Sequence, residues 1–421
     1  MTTPPASPPR FSLRGMVLLA LALSLAAAIS LGVTRFAYSL LLPVMRADLQ
    51  WSYTIAGAMN TVNAAGYLVG ALLMPRLVQH ISHERVVLAS ALLASVLMGI
   101  SGLFTDTGML LALRLLAGVL SATLFVGGGL LAARLSSYAP AHSGLLLGLY
   151  YGGTGWGIAG SALWVPLALE LSAGQAHSWQ SSWWLLGGMC LLAMIGLLLA
   201  RPWLHRLWQQ APPPKPSATA NSAGSGRAAG VALQERFRWR QFGFALAAYF
   251  QFGLGYIGYM TFIIALLRSS GASSLQITVF YALLGLAVVA SGRIWARLLD
   301  RYHGGQALAI LSALLGLATL LPVLSTHSLL AMVSGMLFGA TFLSVVASTT
   351  ALVRHNLGPE AWVSGISAFT IVFAVGQVLG PALVGWISDG PGGLQRGLLV
   401  SALALWLGAL LASRQKALQA R

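Results

Sequence analysis

The stretch "LAAAISLGVTRFAYSLLLPVM", residues 25–45, decides how the rest of the sequence is interpreted. It is apolar over a length that matches a membrane-spanning helix, which needs about 20 such residues. Arg35 nevertheless lies inside it, although a guanidinium in hydrocarbon costs from about 3 to more than 10 kcal/mol. We therefore interpret the stretch as a transmembrane helix, in which the buried cation needs either a partner in the protein or a role in function.

The composition supports this interpretation. The chain has 421 residues, of which 57% are hydrophobic and 8% are charged, whereas a soluble domain carries about 25% charged residues. The apolar run after the short basic N-terminus is too long for a signal-peptide core, so we expect a retained first span. Cys190 is the only cysteine. It excludes an internal disulfide, and no metal-binding spacing is present, so no cofactor is expected.

Twelve apolar windows predict twelve transmembrane helices, six on either side of a linker. The linker, residues 203–238, contains "APPPKPSATANSAGSGRAAG", whose composition is typical of a flexible connection. The predicted organisation is a tail (1–15), a six-helix bundle (16–202), the linker, a second six-helix bundle (239–413) and a C-terminal tail (414–421). The windows are 16–45, 53–78, 84–104, 108–136, 141–170, 180–202, 239–267, 275–299, 305–325, 328–353, 361–388 and 394–413.

The distribution of Lys and Arg predicts the orientation. One set of loops and tails, which includes both termini and the linker, holds 19 of the 24, the other set holds 3, and Arg35 and Arg114 are embedded. The positive-inside rule then places both termini and the linker in the cytoplasm of a bacterial inner-membrane protein. The net charge of +16 is thus an insertion signal, and we expect a lipid bilayer and a small-molecule substrate as partners, no nucleic acid, and a monomer.

Repeated glycine spacings indicate two related halves. Gly118 and Gly339, Gly144 and Gly365, and Gly155 and Gly376 are each 221 residues apart, and Gly32 and Gly255 are 223 apart. Inverted or parallel repeats of this kind are typical of secondary transporters with a site between the halves at mid-membrane. The expected fold class is an all-α membrane protein with two pseudo-symmetric six-helix halves.

Several motifs resemble the major facilitator superfamily over essentially the whole chain. "ARLLDRYHGG" between predicted helices 8 and 9 is similar to its loop motif Gly-x-Leu-Ala-Asp-Arg-x-Gly, and "RLLAGVLSA" in helix 4 is similar to its Arg-x-x-x-Gly motif. "GVTRFAYSLLLPVM", "AAGYLVGALL" and "GLGYIGYMTF" resemble the YbfB/YjiJ-type branch. The resemblance implies alternating access, with gating roles for Asp300, Arg301 and, in the first half, Arg76, although the first-half loop lacks the aspartate.

The acidic residues predict a positively charged interior. All eight lie in predicted loops or near helix ends, whereas Arg35 and Arg114 are embedded. A substrate carboxylate or phosphate could supply the missing charge through a bidentate hydrogen bond. Arg114 also fits a structural or coupling role, and Arg35 could instead bond backbone carbonyls or Asn side chains.

Polar and aromatic side chains on the facing helices complete the predicted site. Asn60, Asn63 and Tyr67 recur on one face of helix 2, and buried Asn and Gln need partners. The predicted substrate-binding residues are Arg35, Tyr38, Asn60, Asn63, Tyr67, Arg114, Thr154, Tyr256, Tyr259 and Gln377. The predicted gating residues are Arg76, Asp300, Arg301, Gly376, Gly380 and Pro381. The last three lie on a small-residue face of helix 11, which suits either static packing or a sliding contact between the halves during alternating access.

These features predict a secondary active transporter that moves a small polar, anionic organic solute across the inner membrane by alternating access. Two alternatives remain: proton-coupled efflux of lipophilic or cationic compounds, which usually relies on an embedded acid, and a non-transporting membrane sensor. No Ser-His-Asp set, metal-spaced pair or phosphate-binding Lys motif is present, so an enzyme is not expected.

Overall fold

The described part of the chain is entirely helical. A computed structural model describes residues 12–210, 238–358 and 361–418, and within these ranges twelve long helices account for nearly all of the chain. The helices, numbered in chain order, are α1 (Leu13–Asp48), α2 (Tyr53–His80), α3 (His83–Ser101), α4 (Thr107–Ser137), α5 (Ser143–Leu171), α6 (Trp179–Gln210), α7 (Gly243–Ser269), α8 (Ser274–Arg301), α9 (Gln306–Leu324), α10 (Ser328–Asn356), α11 (Trp362–Ser388) and α12 (Gly393–Ser413).

The twelve predicted spans are confirmed as helices. Eleven are long and apolar enough to cross a membrane; α5 is equally long, but its row of glycines and polar residues lowers its hydropathy. Helix α6 extends past the predicted end at residue 202 to Gln210, because Leu204 and Leu207 stay buried and Arg134 lies 4.3 Å from the ring centre of Trp208. The predicted linker beyond Gln210, residues 211–237, lies outside the described residues.

The two six-helix halves repeat the same packing. A Cβ at Gly118 in α4 would collide with the carbonyl of Asn63 in α2, and a Cβ at Gly339 in α10 would collide with the carbonyl of Leu284 in α8. Gly339 follows Gly118 by 221 residues, and Leu284 follows Asn63 by the same 221. The same pair of backbones therefore touches in both halves, which confirms the pseudo-symmetry.

Helix α1 differs from the regular helix expected from the sequence. Residues Ala28–Phe36 form a π-helix, an arrangement that is rare and frequent at functional sites. The hydroxyl of Thr34 donates to the carbonyl of Ile29, five residues earlier, at 2.5 Å. Ser30 and Ser121 hydrogen-bond each other's carbonyls, and a Cβ at Gly32 would lie 2.6 Å from Gly157 Cα. This close packing against α4 and α5 holds the widened turn, and Arg35 lies inside it.

The bundle has two ends that differ in how closely the halves approach. We call the end that holds residues 12, 210, 238 and 414 the basic end, and the opposite end the far end. At the far end, added Cβ atoms at Gly57 of α2 and Gly385 of α11 would collide with the carbonyls of Pro381 and Tyr53 in the other half. The far end is therefore closed.

The seam between α5 and α8 opens toward the basic end. A Cβ at Gly155 would collide with the Gly285 carbonyl, and one at Gly152, nearer the basic end, would lie 3.6 Å from Val289. At Gly148 and Gly144 nothing lies within 4 Å. The halves thus diverge along α5, and a cleft between them opens at the basic end.

Candidate functional site

Arg35 lies at the boundary between the two halves. Its side chain is 2% exposed, and its Nη2 donates to Oε1 of Gln377 in α11 at 2.6 Å. Its guanidinium carbon lies 5.5 Å from the ring centre of Tyr67 and 5.8 Å from that of Phe36. Nε is buried and has no hydrogen-bond partner. The cation is thus held by one neutral acceptor and by ring faces, and it keeps an unused donor.

Arg114 starts a polar chain that also crosses between the halves. Its Nη1 donates to the carbonyl of Thr34 at 2.7 Å, and its Nη2 donates to Oδ1 of Asn60 at 2.9 Å. Nδ2 of Asn60 in turn donates to Oγ1 of Thr261 in α7 at 2.8 Å. Nε of Arg114 is buried without a partner. Arg35 and Arg114 lie within electrostatic range of each other, so two like charges share one interior.

No carboxylate of the described residues neutralises these cations. Six of the eight acids are described, all at or beyond helix ends, and Glu235 and Glu360 lie outside the described ranges. The ion pairs within the described ranges join His177 to Asp48 and Arg201 to Glu84. At the offsets of the internal repeat, 223 and 221, the positions matching Arg35 and Arg114 are Gly258 and Gly335. The second half thus contributes no charge at the positions equivalent to the two arginines.

Several predicted site residues surround the two arginines. The Tyr38 ring lies 5.1 Å from the Arg114 guanidinium, and its hydroxyl donates to the Ala56 carbonyl at 2.9 Å. Asn63 Nδ2 donates to the Arg114 carbonyl at 3.1 Å, while its Oδ1 is buried without a partner. Tyr256 is 3% exposed and within electrostatic range of Arg35.

Two predicted binding residues, Tyr259 and Thr154, make no contact with the two arginines among the contacts described. Tyr259 packs inside the second half, where its ring stacks 4.1 Å from Phe338 and its hydroxyl hydrogen-bonds Ser334 at 2.7 Å. Thr154 is fully buried on the part of α5 that faces α1, and its hydroxyl has no partner. Tyr259 follows Phe252 by seven residues and so lies on the same face of α7, but helical spacing alone does not identify which face of the helix meets the other half.

Sequence reasoning missed several contacts that join the halves. Thr261 is the last member of the hydrogen-bonded series that starts at Arg114. Ser39 donates to the Met260 carbonyl. Tyr281 donates to the Phe36 carbonyl at 2.7 Å. The available signal for each residue was a polar side chain within an apolar span of the sequence. Their partners are backbone or side-chain groups more than 200 residues away, which no local pattern reveals.

The far end is held by Asp389, which was not among the predicted gating residues. Its carboxylate accepts hydrogen bonds from the backbone N–H of Tyr53 (2.6 Å) and Thr54 (2.9 Å) and from the Thr54 hydroxyl (2.6 Å). An acid at the end of α11 thereby caps the N-terminus of α2 in the other half. Burial acts to raise the pKa of Asp389, but these hydrogen bonds outweigh it and lower the pKa below its ordinary value.

We expect Asp389→Ala to loosen the far end at neutral pH. Loss of a cap that costs about 1 kcal/mol gives roughly 5-fold faster thiol labelling of Ala382→Cys, measured with Cys190→Ala as background. The matched control is Asp106→Ala, which removes a cap within one half, on Met109 N at 2.7 Å, and leaves labelling unchanged.

The pH dependence of the same labelling follows from the lowered pKa of Asp389. A carboxylate with a depressed pKa stabilises the closed far end above its ordinary pKa, and this contribution is lost as pH falls through the lowered value. With Asp389 intact, the labelling rate of Ala382→Cys, divided by the rate of a small free thiol at the same pH to remove the effect of thiolate fraction, should therefore be constant between pH 7 and pH 5 and rise only in stronger acid. Equal labelling of Asp389→Ala and the Asp106→Ala control would contradict the proposed cap.

The predicted gating residues at the basic end are not engaged in ion pairs within the described ranges. Arg76, Asp300 and Arg301 are all exposed. On α11, Gly376 and Gly380 pack against the α7 backbone inside the same half, whereas the Pro381 carbonyl meets Gly57 across the seam. The small-residue face of α11 therefore serves internal packing at Gly376 and Gly380, and of these three residues only Pro381 meets the other half.

This architecture defines a class of protein: a helical membrane transporter with two related halves and a polar centre between them. The chain belongs to the major facilitator superfamily, because the family model described as "Uncharacterised MFS-type transporter YbfB" matches residues 27–413. It is therefore a transporter of that superfamily, and the resemblance inferred from the motifs is confirmed.

Curated relatives and solved structures agree with this assignment. The chain is 25% identical over 373 residues to the inner membrane transport protein YdhP of Escherichia coli K12, covering 87% of this chain and 88% of YdhP. Its fold is similar to that of a bacterial homologue of the human lysosomal transporter Spinster in an inward-facing, occupied conformation, with 15% identity, a TM-score of 0.68, and 96% and 97% coverage of the two chains. The nucleoside transporter NupG gives 12% identity, a TM-score of 0.67, and 94% and 98% coverage. The YdhP relative and the apolar spans together support an integral inner-membrane protein.

Proposed function

We propose that this chain is a secondary transporter that moves a small polar, anionic organic solute across the inner membrane. The observation that carries the proposal is the pair of buried arginines, Arg35 and Arg114, whose Nε groups lack partners and which form no ion pair among the described residues. A carboxylate entering between the halves would offset the repulsion between the two cations and accept charge-assisted hydrogen bonds. The anion is therefore the ligand that this interior favours electrostatically.

The cleft supports an alternating-access mechanism. The halves touch at the far end and diverge toward the basic end, as the glycine contacts of α2, α5, α8 and α11 indicate. We infer from the positive-inside rule that the basic end and both termini face the cytoplasm, so this conformation is open inward. Asp300 and Arg301 would form a latch in the opposite, outward-open state.

The two alternatives require features of other kinds. Efflux of cations usually relies on an embedded acid, and the six described acids all lie at or beyond helix ends. A sensor would bind its ligand without moving it. We propose no enzymatic activity, no cofactor, and a monomer as the working unit.

Counterflow in liposomes tests the proposal without knowledge of the driving ion. Proteoliposomes loaded with unlabelled lactate, succinate or hippurate should accumulate the same labelled carboxylate above the level of protein-free liposomes, because exchange needs no net gradient. Tetraphenylphosphonium, a lipophilic cation, should show no protein-dependent counterflow. Counterflow of the cation alone would overturn the proposal in favour of cation efflux. Stabilisation by a carboxylate without counterflow would favour a sensor.

A further inference from the structure

An array of nearly parallel aromatic rings lies beside Arg35. It consists of Tyr249, Phe252 and Tyr256 of α7, Phe342 of α10 and Phe373 of α11. Neighbouring rings in the array are separated by 4.8–6.1 Å between centroids, and their planes differ by 8–19°. Buried aromatic rings often pack edge to face. Here five rings share nearly one orientation, so the array offers parallel ring faces on which a planar ligand can stack.

Phe373 connects this array to the hydrogen-bond partner of Arg35. It stacks on Tyr249, Phe252 and Tyr256 and is itself only partly buried. Gln377, the acceptor for Arg35, lies four residues later on the same helix face. The ring is thus one helical turn, about 5–6 Å, from the residue that holds the guanidinium.

The first half supplies a second aromatic wall. The Tyr67 ring centre lies 5.5 Å from the Arg35 guanidinium carbon. Tyr151, on the face of α5 that holds Gly144 and Gly148, is 43% exposed and packs its ring 5.7 Å from Phe125. Two walls of rings, one from each half, therefore flank the path from the basic end to Arg35.

We propose that the transported anion is an aromatic carboxylate, held by its carboxylate on Arg35 and by its ring on Phe373 and Tyr67. This inference rests on the proposed function and narrows it. An aliphatic dicarboxylate or a sugar acid would leave the ring faces without a partner, and its additional polar groups would lie against those faces, where desolvation is poorly compensated. A planar ring with one carboxylate matches both the unpartnered Nε donor of Arg35 and the parallel ring faces.

Binding of matched pairs tests the aromatic part separately from the anionic part. With purified full-length protein, benzoate should bind about 3- to 10-fold more tightly than cyclohexanecarboxylate, which has the same charge and similar size but no aromatic face. Phe373→Leu should reduce this preference to near unity. Phe104→Leu replaces another partly buried phenylalanine, in the α3–α4 connection, and should retain the preference.

Each outcome has a distinct meaning. Equal binding of benzoate and cyclohexanecarboxylate, both tighter than the neutral benzamide, would overturn the aromatic inference and leave the anion proposal intact. A preference for benzoate that survives in Phe373→Leu would also overturn the role of this ring. Benzamide or benzylamine binding more tightly than either carboxylate would overturn both the aromatic inference and the proposed function.

Discussion

Arg35→Gln is expected to abolish carboxylate transport while the protein still folds. Counterflow of hippurate, the aromatic carboxylate of the set, should fall about 100-fold or more, because removal of one partner of a buried charged pair costs about 2–5 kcal/mol. The change removes a buried cation that has no ion pair among the described residues. Thermal stability should therefore be unchanged or higher.

The control for this change is Arg46→Gln. Arg46 is a partly buried arginine at the far end of the same helix, with its guanidinium carbon 3.8 Å from the Tyr53 ring centre. It lies outside the central network, so its replacement should preserve counterflow at neutral pH. If Arg35→Gln transports at the wild-type rate, the anion-binding role of Arg35 is wrong.

Locking the far end shut is expected to stop transport completely and reversibly. The backbone N–H of Ala382 in α11 donates to the Thr61 hydroxyl in α2 at 3.2 Å across the two halves. Thr61→Cys with Ala382→Cys, in a Cys190→Ala background, should form a disulfide on oxidation. Because a disulfide holds its two Cα atoms within about 7 Å, the far end cannot open, and roughly 90% or more of counterflow should disappear.

Reduction should restore transport, and each single-cysteine variant should be insensitive to oxidant. Thiol counting before the flux assay establishes that the cross-link has formed. Cross-linked protein that transports at the wild-type rate would exclude alternating access through this seam, and failure of the pair to cross-link would contradict the close approach of α2 and α11.

The sequence predicts those features that depend on local composition. Apolar length identifies the spans, and the scarcity of charge makes Arg35 and Arg114 conspicuous within them. The positions of the acids at helix ends, confirmed for the six described, also follow from hydropathy, since charged groups are costly inside the bilayer. The polar face of α2 was predicted to complete the site, and its Tyr67 ring centre lies 5.5 Å from the Arg35 guanidinium carbon.

Features that depend on contacts between distant helices were not predictable. Arg35 and Gln377 are 342 residues apart, and their direct hydrogen bond depends on how the two halves dock. The π-helix around Arg35 results from close packing on Ser121 and Gly157, which hydropathy does not register. Tyr256 and Tyr259 have similar sequence contexts, yet one lies near Arg35 and the other packs inside the second half. In the sequence, Asp389 is one of several acids in predicted loops. Its capping role depends on the N-terminus of α2 lying beside it, which only the structure shows.

Binding of benzoate and benzamide to wild-type protein and to Arg35→Gln isolates the role of the buried cation, because the two ligands differ in charge and share a ring. We expect benzoate to bind Arg35→Gln about 30-fold or more weakly than it binds wild type, while benzamide binding changes by less than about 2-fold. Benzoate affinity that is the same in both proteins would show that the buried cation does not hold the anion.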